Sequence, residues 1–302
     1  MVKALCRALQ TGLLLLLFPP LFAADTVDPA VPFNGGALIF SFDGLEQGRP
    51  YSLELVTPQK MTIGFRATED RTRVLAGLGL SASGVLRWRL RSDGKTVRSN
   101  RVMIARRAYK RVSFNVDSRF SAPPAALAKR IREESGLLRA VRQTFSTDCD
   151  YRNAVALPVP EVAGWSNDFG RTRVMNSVWT DVHTASDLTA KKGTPVSAFC
   201  AGRVALAEDL YYGGRTVMID HGLGLVSMYC HLSEIFVMEG EQIRSGECLG
   251  LSGDTGCVTA PHLHFAAYIN AVAVDPVDLV SRMKVVWGAA ERSGPGQARE
   301  DQ

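Results

Sequence analysis

The chain has 302 residues, 46% of them hydrophobic and 22% charged, which excludes a mostly disordered chain and a polytopic membrane protein and leaves room for two ordinary domains. Formal net charge is +5, two units of which are Lys3 and Arg7 at the extreme N-terminus. The remainder is too small a basic excess for a dedicated nucleic-acid binder.

In chain order, the first element reads as a secretory leader over 1–24. Lys3 and Arg7 precede an apolar run from Thr11 to Phe22, and Ala23-Ala24 stand before Asp25. Pro19-Pro20, and a run shorter than the roughly 20 residues of a bilayer span, argue against a retained anchor. Export would place Cys149, Cys200, Cys230, Cys248 and Cys257 where disulfides are permitted. Their number is odd, none forms a CxxC pair, and their spacing leaves the pairing open. Cys200 and Cys230 lie in apolar, strand-like runs and read as buried inert thiols.

From 32 to 120 the text is short alternating runs broken by Gly, Asn and Asp. Leu86, Trp88 and Leu90 alternate with Arg87, Arg89 and Arg91, the period-2 signature of a half-buried strand, and Ser92-Asp93-Gly94-Lys95 supplies a turn. An antiparallel β-sandwich is expected here, with Arg101, Arg106, Arg107, Lys110 and Arg111 on a solvated face in preference to a surface for an anionic polymer. A helix and linker follow over 121–163. Leu127, Ile131, Leu138, Val141 and Phe145 recur on one helical face, and Ala156-Leu157-Pro158-Val159-Pro160 reads as extended. A second β-rich domain is expected over 164–287, with short strands near 195–199, 203–207, 216–220, 225–231 and 262–268. The Gly/Pro/charged stretch 288–302 reads as a disordered tail.

The five histidines all fall between His183 and His264, a clustering that chance produces on the order of once in a thousand chains. His183 and Asp187 are four apart. His231 lies in Tyr229-Cys230-His231-Leu232-Ser233, and His262 and His264 flank Leu263. In a strand, residues two apart share a face, so His262 and His264 are expected to project together. A lone histidine is more often structural than a ligand. Two His and one Asp from separate segments, however, match the three protein ligands of a catalytic zinc site, and further imidazoles suit proton transfer near neutral pH.

These residues carry a resemblance to the lysostaphin-type, or LytM-like, zinc metalloendopeptidases that cut peptidoglycan cross-bridges. The matching pieces are His183-x-x-x-Asp187, Gly193-Thr194-Pro195-Val196-Ser197-Ala198 with Gly202-x-Val204, Tyr212-Gly213-Gly214, Tyr229-x-His231-Leu232-Ser233, Gly246-x-x-x-Gly250, Thr255-Gly256 and Pro261-His262-Leu263-His264-Phe265. The stretch 34–145 resembles the β-sandwich plus helix that precedes the domain in some Gram-negative members. The resemblance implies a mainly β fold: an N-terminal antiparallel sandwich, a linking helix and a C-terminal, hybrid-barrel-like LytM domain.

The resemblance also implies zinc held by His183, Asp187 and His264, catalytic roles for His231 and His262, and an oxyanion role for Tyr212. It leaves His221 as structural. Ala185 and Ala260 stand where the family usually has Gly, which bears on local backbone rather than on chemistry. The implied activity is hydrolysis of peptidoglycan cross-links by an exported protein, in the periplasm in preference to the extracellular space, with the D-Ala–diaminopimelate bond favoured over glycine bridges. Two other classes compete. A non-catalytic LytM-like regulator of a cell-wall amidase would have lost ligands, whereas all five positions are present here. A biotinyl- or lipoyl-like carrier would need a lysine on a hairpin tip, and Met283-Lys284 lies beyond the matching glycines.

Overall fold

The computed structural model describes residues 25–57, 60–68, 70–147, 151, 155–160 and 168–288. The expected leader, and all of the expected tail except Gly288, lie outside the described residues. No described helix is long and apolar enough to cross a membrane. The fold is mainly β and almost entirely antiparallel.

Strands β1 (Thr26–Asp28), β2 (Ala37–Asp43), β3 (Pro50–Val56), β4 (Lys60–Arg66), β5 (Arg71–Gly77), β6 (Gly84–Ser92) and β7 (Lys95–Ile104) form two facing sheets, ordered β1-β2-β5 and β4-β3-β6-β7. Leu86, Trp88 and Leu90 of β6 point inward while Arg87 and Arg89 stay exposed, as the alternation requires. The sandwich core also takes Leu38, Phe40 and Phe42 from β2. The apolar run Ala37-Leu38-Ile39-Phe40 is continuous rather than alternating, which is the pattern of a strand buried on both faces. Its other face, Ala37 and Ile39 together with Leu75 of β5, belongs to the core of the second half of the chain. Sandwich and C-terminal region therefore share one apolar interior. Gly77 lets them approach: a Cβ there would lie 3.0 Å from Val272 and from Val274.

Next come β8 (Arg111–Phe114), the short helix α1 (Ser118–Ser121), a 3-10 turn (Ala125–Leu127) and α2 (Ala128–Arg142). The helix ends before Phe145, which stays exposed. Its inward side presents Ile131, Leu138 and buried Val141, and it is no free linker. Strands β9 (Thr172–Met175) and β10 (Trp179–Val182) complete a small sheet with β8, in which β8 pairs with β9 in parallel. The segment 155–160 is extended and docked: Ala156 N–H donates to Phe199 O, and Val159 is buried.

The largest sheet holds β11 (Ser186–Leu188), β12 (Pro195–Ser197), β13 (Gly202–Leu210), β14 (Gly214–Gly222), β15 (Leu225–Ile235), β16 (Gln242–Ile243), β17 (Cys248–Ser252), β18 (Leu263–Ile269) and β19 (Val272–Val274). Its main path runs β11-β18-β15-β14-β13-β16 and does not close into a barrel. Strand alternation gives it two faces. Leu263, Phe265, Ala267 and Ile269 of β18 and Tyr229 of β15 enter the inner core. Ala266 and Tyr268 of β18, with Met228 and Cys230 of β15, form the outer face that α2 covers. A helix that the sequence pattern did not announce, α3 (Pro276–Gly288), closes the inner core with Leu279, Val280, Met283 and Trp287.

Arg107, expected on a solvated face, instead reaches across the molecule. Its guanidinium lies 2.8 Å from the Asp275 carboxylate, whose side chain is only 1% exposed, and stacks over Phe33. Without this partner the buried Asp275 charge would carry a full desolvation cost.

Candidate metal centre

Three short elements deliver the expected ligands. His183 follows β10, and its backbone N–H and C=O pair with Arg171 O and Gly170 N. Asp187 sits in β11, directly opposite His264 of β18. His183 Nε2, Asp187 Oδ1 and His264 Nδ1 form a nearly equilateral triangle. Its edges are 3.2 Å (His183–Asp187), 3.0 Å (His264–Asp187) and 3.1 Å (His183–His264).

A tetrahedral ion with bonds of about 2.0–2.1 Å needs donors roughly 3.3 Å apart, so this triangle fits three corners of a zinc site with little adjustment. The donor chemistry, two imidazoles and a carboxylate, fits as well. Burial pushes the Asp187 carboxyl up, but hydrogen bonds with His183, His262 and His264 override it and hold the group well below the usual carboxylate range. Burial likewise pulls His183 down, while Asp168 and Asp187 outweigh it and lift the ring to about 9.

The carboxylate behind His183 was missed by sequence reasoning. Asp168 Oδ2 lies 3.2 Å from His183 Nδ1, and its Oδ1 accepts the Asp187 backbone N–H at 3.1 Å. One residue thus orients two of the three donors, the arrangement that fixes a ligand's tautomer and raises its basicity. Its only signal in the sequence was an acid two residues before Gly170.

His231 and His262 stand on the rim. His231 ends the outer-face run of β15 in a left-handed conformation, φ 64°, beside a register shift opposite Arg215–Val217. Its Nδ1 bonds Thr255 O at 2.8 Å, which fixes the proton there and turns Nε2 outward as an acceptor. Burial, with the nearby His264 and His262 rings, lowers its pKa to about 3. His262 lies one residue before β18, in an isolated bridge with Gly253, not within the strand as expected. Its Nδ1 bonds Ala260 O at 2.8 Å, and its Nε2 is 3.4 Å from Asp187 Oδ1. The ring centroids of His231 and His262 are 4.9 Å apart, and those of His231 and His264 are 5.5 Å apart. Thr255 and Ala260 act through carbonyls, which no side-chain pattern reveals.

All five residues line one cleft of about 340 Å³, together with Tyr212. Burial raises the Tyr212 phenol, so it stays protonated and can donate. Cys230 and Cys257 line the same cleft, but burial pushes their thiols up to about 12 and about 11, so neither is a nucleophile near neutral pH. His221 is elsewhere. It is fully buried, with Nδ1 2.7 Å from Ala201 O and Nε2 2.7 Å from Ser227 Oγ. The far wall of the cleft comes from outside this half of the chain: Phe114 at the end of β8, Val116 just beyond it, and Ile131, Glu134, Leu138 and Arg142 of α2.

The family whose model matches is Peptidase family M23, over residues 181–276. Curated relatives include an uncharacterised metalloprotease of Haemophilus influenzae, 41% identical over 96 residues, covering 32% of this chain and 20% of that protein. The DD-carboxypeptidase/endopeptidase Mpg of Neisseria meningitidis is 39% identical over 115 residues, covering 38% of this chain and 26% of its own. Peptidoglycan DD-endopeptidase ShyA of Vibrio cholerae is 38% identical over 93 residues, covering 31% and 22%. The chain thus spans about a quarter or less of the length of these relatives. A solved structure of a candidate M23 peptidase from Pseudomonas aeruginosa aligns over 82% of this chain and 95% of its own, at 28% identity and a TM-score of 0.62.

Proposed function

From the premise that residues 181–276 constitute a peptidase family M23 domain, we propose that the chain is an exported zinc metalloendopeptidase of the periplasm. Its substrate is the peptide cross-link of peptidoglycan, with the D-Ala–diaminopimelate bond favoured. The observation that carries this reading is the His183–Asp187–His264 triangle with two further imidazoles on its rim. The peptidoglycan DD-endopeptidase name of the Vibrio relative supports the substrate class. An amidase regulator of the same fold has no use for five intact groups.

His183, Asp187 and His264 would hold the ion. Zinc so bound supplies a Lewis acid for the scissile carbonyl and a water acidified to about neutrality. The chain's own groups do the proton work. His231, its Nδ1 proton held by Thr255 O, has Nε2 left to accept the proton of the attacking water. Ala260 O already holds the Nδ1 proton of His262, so the approach of its Nε2 to a carboxylate oxygen is attractive only in the doubly protonated ring, and it is this imidazolium that donates to the oxyanion or the leaving amine. Tyr212, protonated and in the same cleft, is a second oxyanion donor.

Zinc content and turnover of purified cross-linked muropeptides, measured on the same preparations, test this. His264→Ala should lose metal and activity together. His231→Ala and His262→Ala should retain near-stoichiometric zinc while the rate falls roughly 10²–10⁴-fold, the usual worth of a general acid or base. A zinc-free His262→Ala beside a zinc-loaded His264→Ala would reverse the assignment. A wild-type chain that refuses zinc would overturn the enzyme reading.

A further inference from the structure

The cleft extends well beyond the metal centre, along the outer face of the large sheet and beneath α2. Among the described residues, four charged side chains besides Asp187 line it: Glu134, Arg142, Arg173 and Asp181. Three of them are neutralised locally. Arg173 forms a two-pronged contact with Asp181, at 3.2 and 3.1 Å. Glu134 takes Arg130 Nε at 2.6 Å and the Tyr211 backbone N–H at 2.9 Å. Arg142 is different. No ion pair or hydrogen bond joins it to another described residue, and its Nε is buried without an acceptor. Its guanidinium lies over the Tyr268 ring, 4.5 Å from the centroid, which holds the group flat and in place.

Arg142 is half-buried, with its Nε shut off from water and unpaired, and a fixed planar guanidinium is the side chain best matched to a carboxylate. We propose that Arg142 forms a carboxylate-binding subsite of the cleft, recognising an acidic group of the substrate peptide at a distance from the bond that is cut. His264 and Tyr268 lie on the same face of β18, four residues apart, a span of about 13 Å at roughly 3.3 Å per residue. That is a few residues' length of an extended peptide, so the subsite reads the stem rather than the reacting atoms. The inference rests on the peptidoglycan reading above and adds to it a determinant from α2, outside the matched domain. Two carboxylates within a stem peptide, away from its C-terminus, meet the chemistry: the free one of diaminopimelate and that of D-glutamate.

The test uses full-length, zinc-loaded protein and three cross-linked muropeptide dimers: unmodified, amidated at diaminopimelate, and amidated at D-glutamate. For the wild type, amidating the recognised carboxylate should raise KM roughly 10–100-fold, the worth of a hydrogen-bonded charge, with kcat little changed. The dimer that shows the effect identifies the carboxylate. Arg142→Ala should show the raised KM on the unmodified dimer and no further loss on amidation. Arg142→Met keeps the apolar stem over Tyr268 should the alanine variant fold poorly. Titration calorimetry with the same dimers reads the subsite even if the bond cut is another one. Uncleaved dimers whose binding still weakens on amidation would sink the bond assignment and keep the subsite. Wild-type cleavage and binding indifferent to both amidations would overturn the subsite, as would Arg142→Ala losing equally on all three dimers.

Discussion

At the scale of single residues, the site divides into groups that announce themselves and groups that do not. His183, Asp187, His231, His262 and His264 were legible because the proposed chemistry resides in their side chains and their segments have recurrent spacing. Asp168 was not, because it touches the candidate ligand His183 from behind and offers no donor to the site itself. Asp168→Ala should leave the fold intact and weaken zinc affinity roughly 10–100-fold, as loss of an outer carboxylate does. Competition with a chelator measures this, and an unchanged affinity would show that His183 is oriented by Asp187 alone. His221 offers a different test. Burial lowers its pKa to about 4, against roughly 6.5 for an unfolded chain. As pH falls below 6.5 the unfolded state takes up the proton first, so the stability associated with a neutral His221 is complete above that pH and drains away towards pH 4. The loss is about 3 kcal/mol. Urea unfolding of metal-free protein should show a shallower decline between pH 7 and pH 4 for His221→Gln than for the wild type. Equal slopes would mean that other groups carry the pH dependence.

At the scale of elements, alternation made β6 readable, and the unbroken apolar text of β2 encoded its two buried faces. The pairing of β8 with β9 was not readable, because it joins segments some sixty residues apart and leaves no local trace. Helix α2 was foreseen as a helix, but only packing shows which surface it meets. Its inward residues are few, so each matters more. Val141 is 7% exposed against the sheet's outer face, and Val141→Ala should cost about 2 kcal/mol through lost contacts and a partial cavity. Because the helix lines the cleft without supplying a metal donor, zinc stoichiometry should stay unchanged while the urea midpoint falls. Loss of zinc in this variant would tie α2 to the metal centre more directly than the contacts do.

At the scale of the whole molecule, the sandwich and the C-terminal region are joined by three kinds of contact: the shared apolar interior of Ala37, Ile39 and Leu75, the Arg107–Asp275 ion pair, and the β8–β9 ladder. Regions bound in this way should unfold together. Calorimetry of the metal-free chain should show one transition with matching calorimetric and van't Hoff enthalpies, and two resolved transitions would contradict it. The cleft itself has a split ancestry in the sequence. One bank is drawn from residues after 172, the other from residues 114–142. Exchanging residues 168–288 with the equivalent stretch of a relative would therefore transplant the candidate metal site and the proposed acid–base pair but leave the opposite bank behind. Such hybrids would combine one protein's reactivity with another's selectivity, and the second trait could then be redesigned along a single fifteen-residue helix.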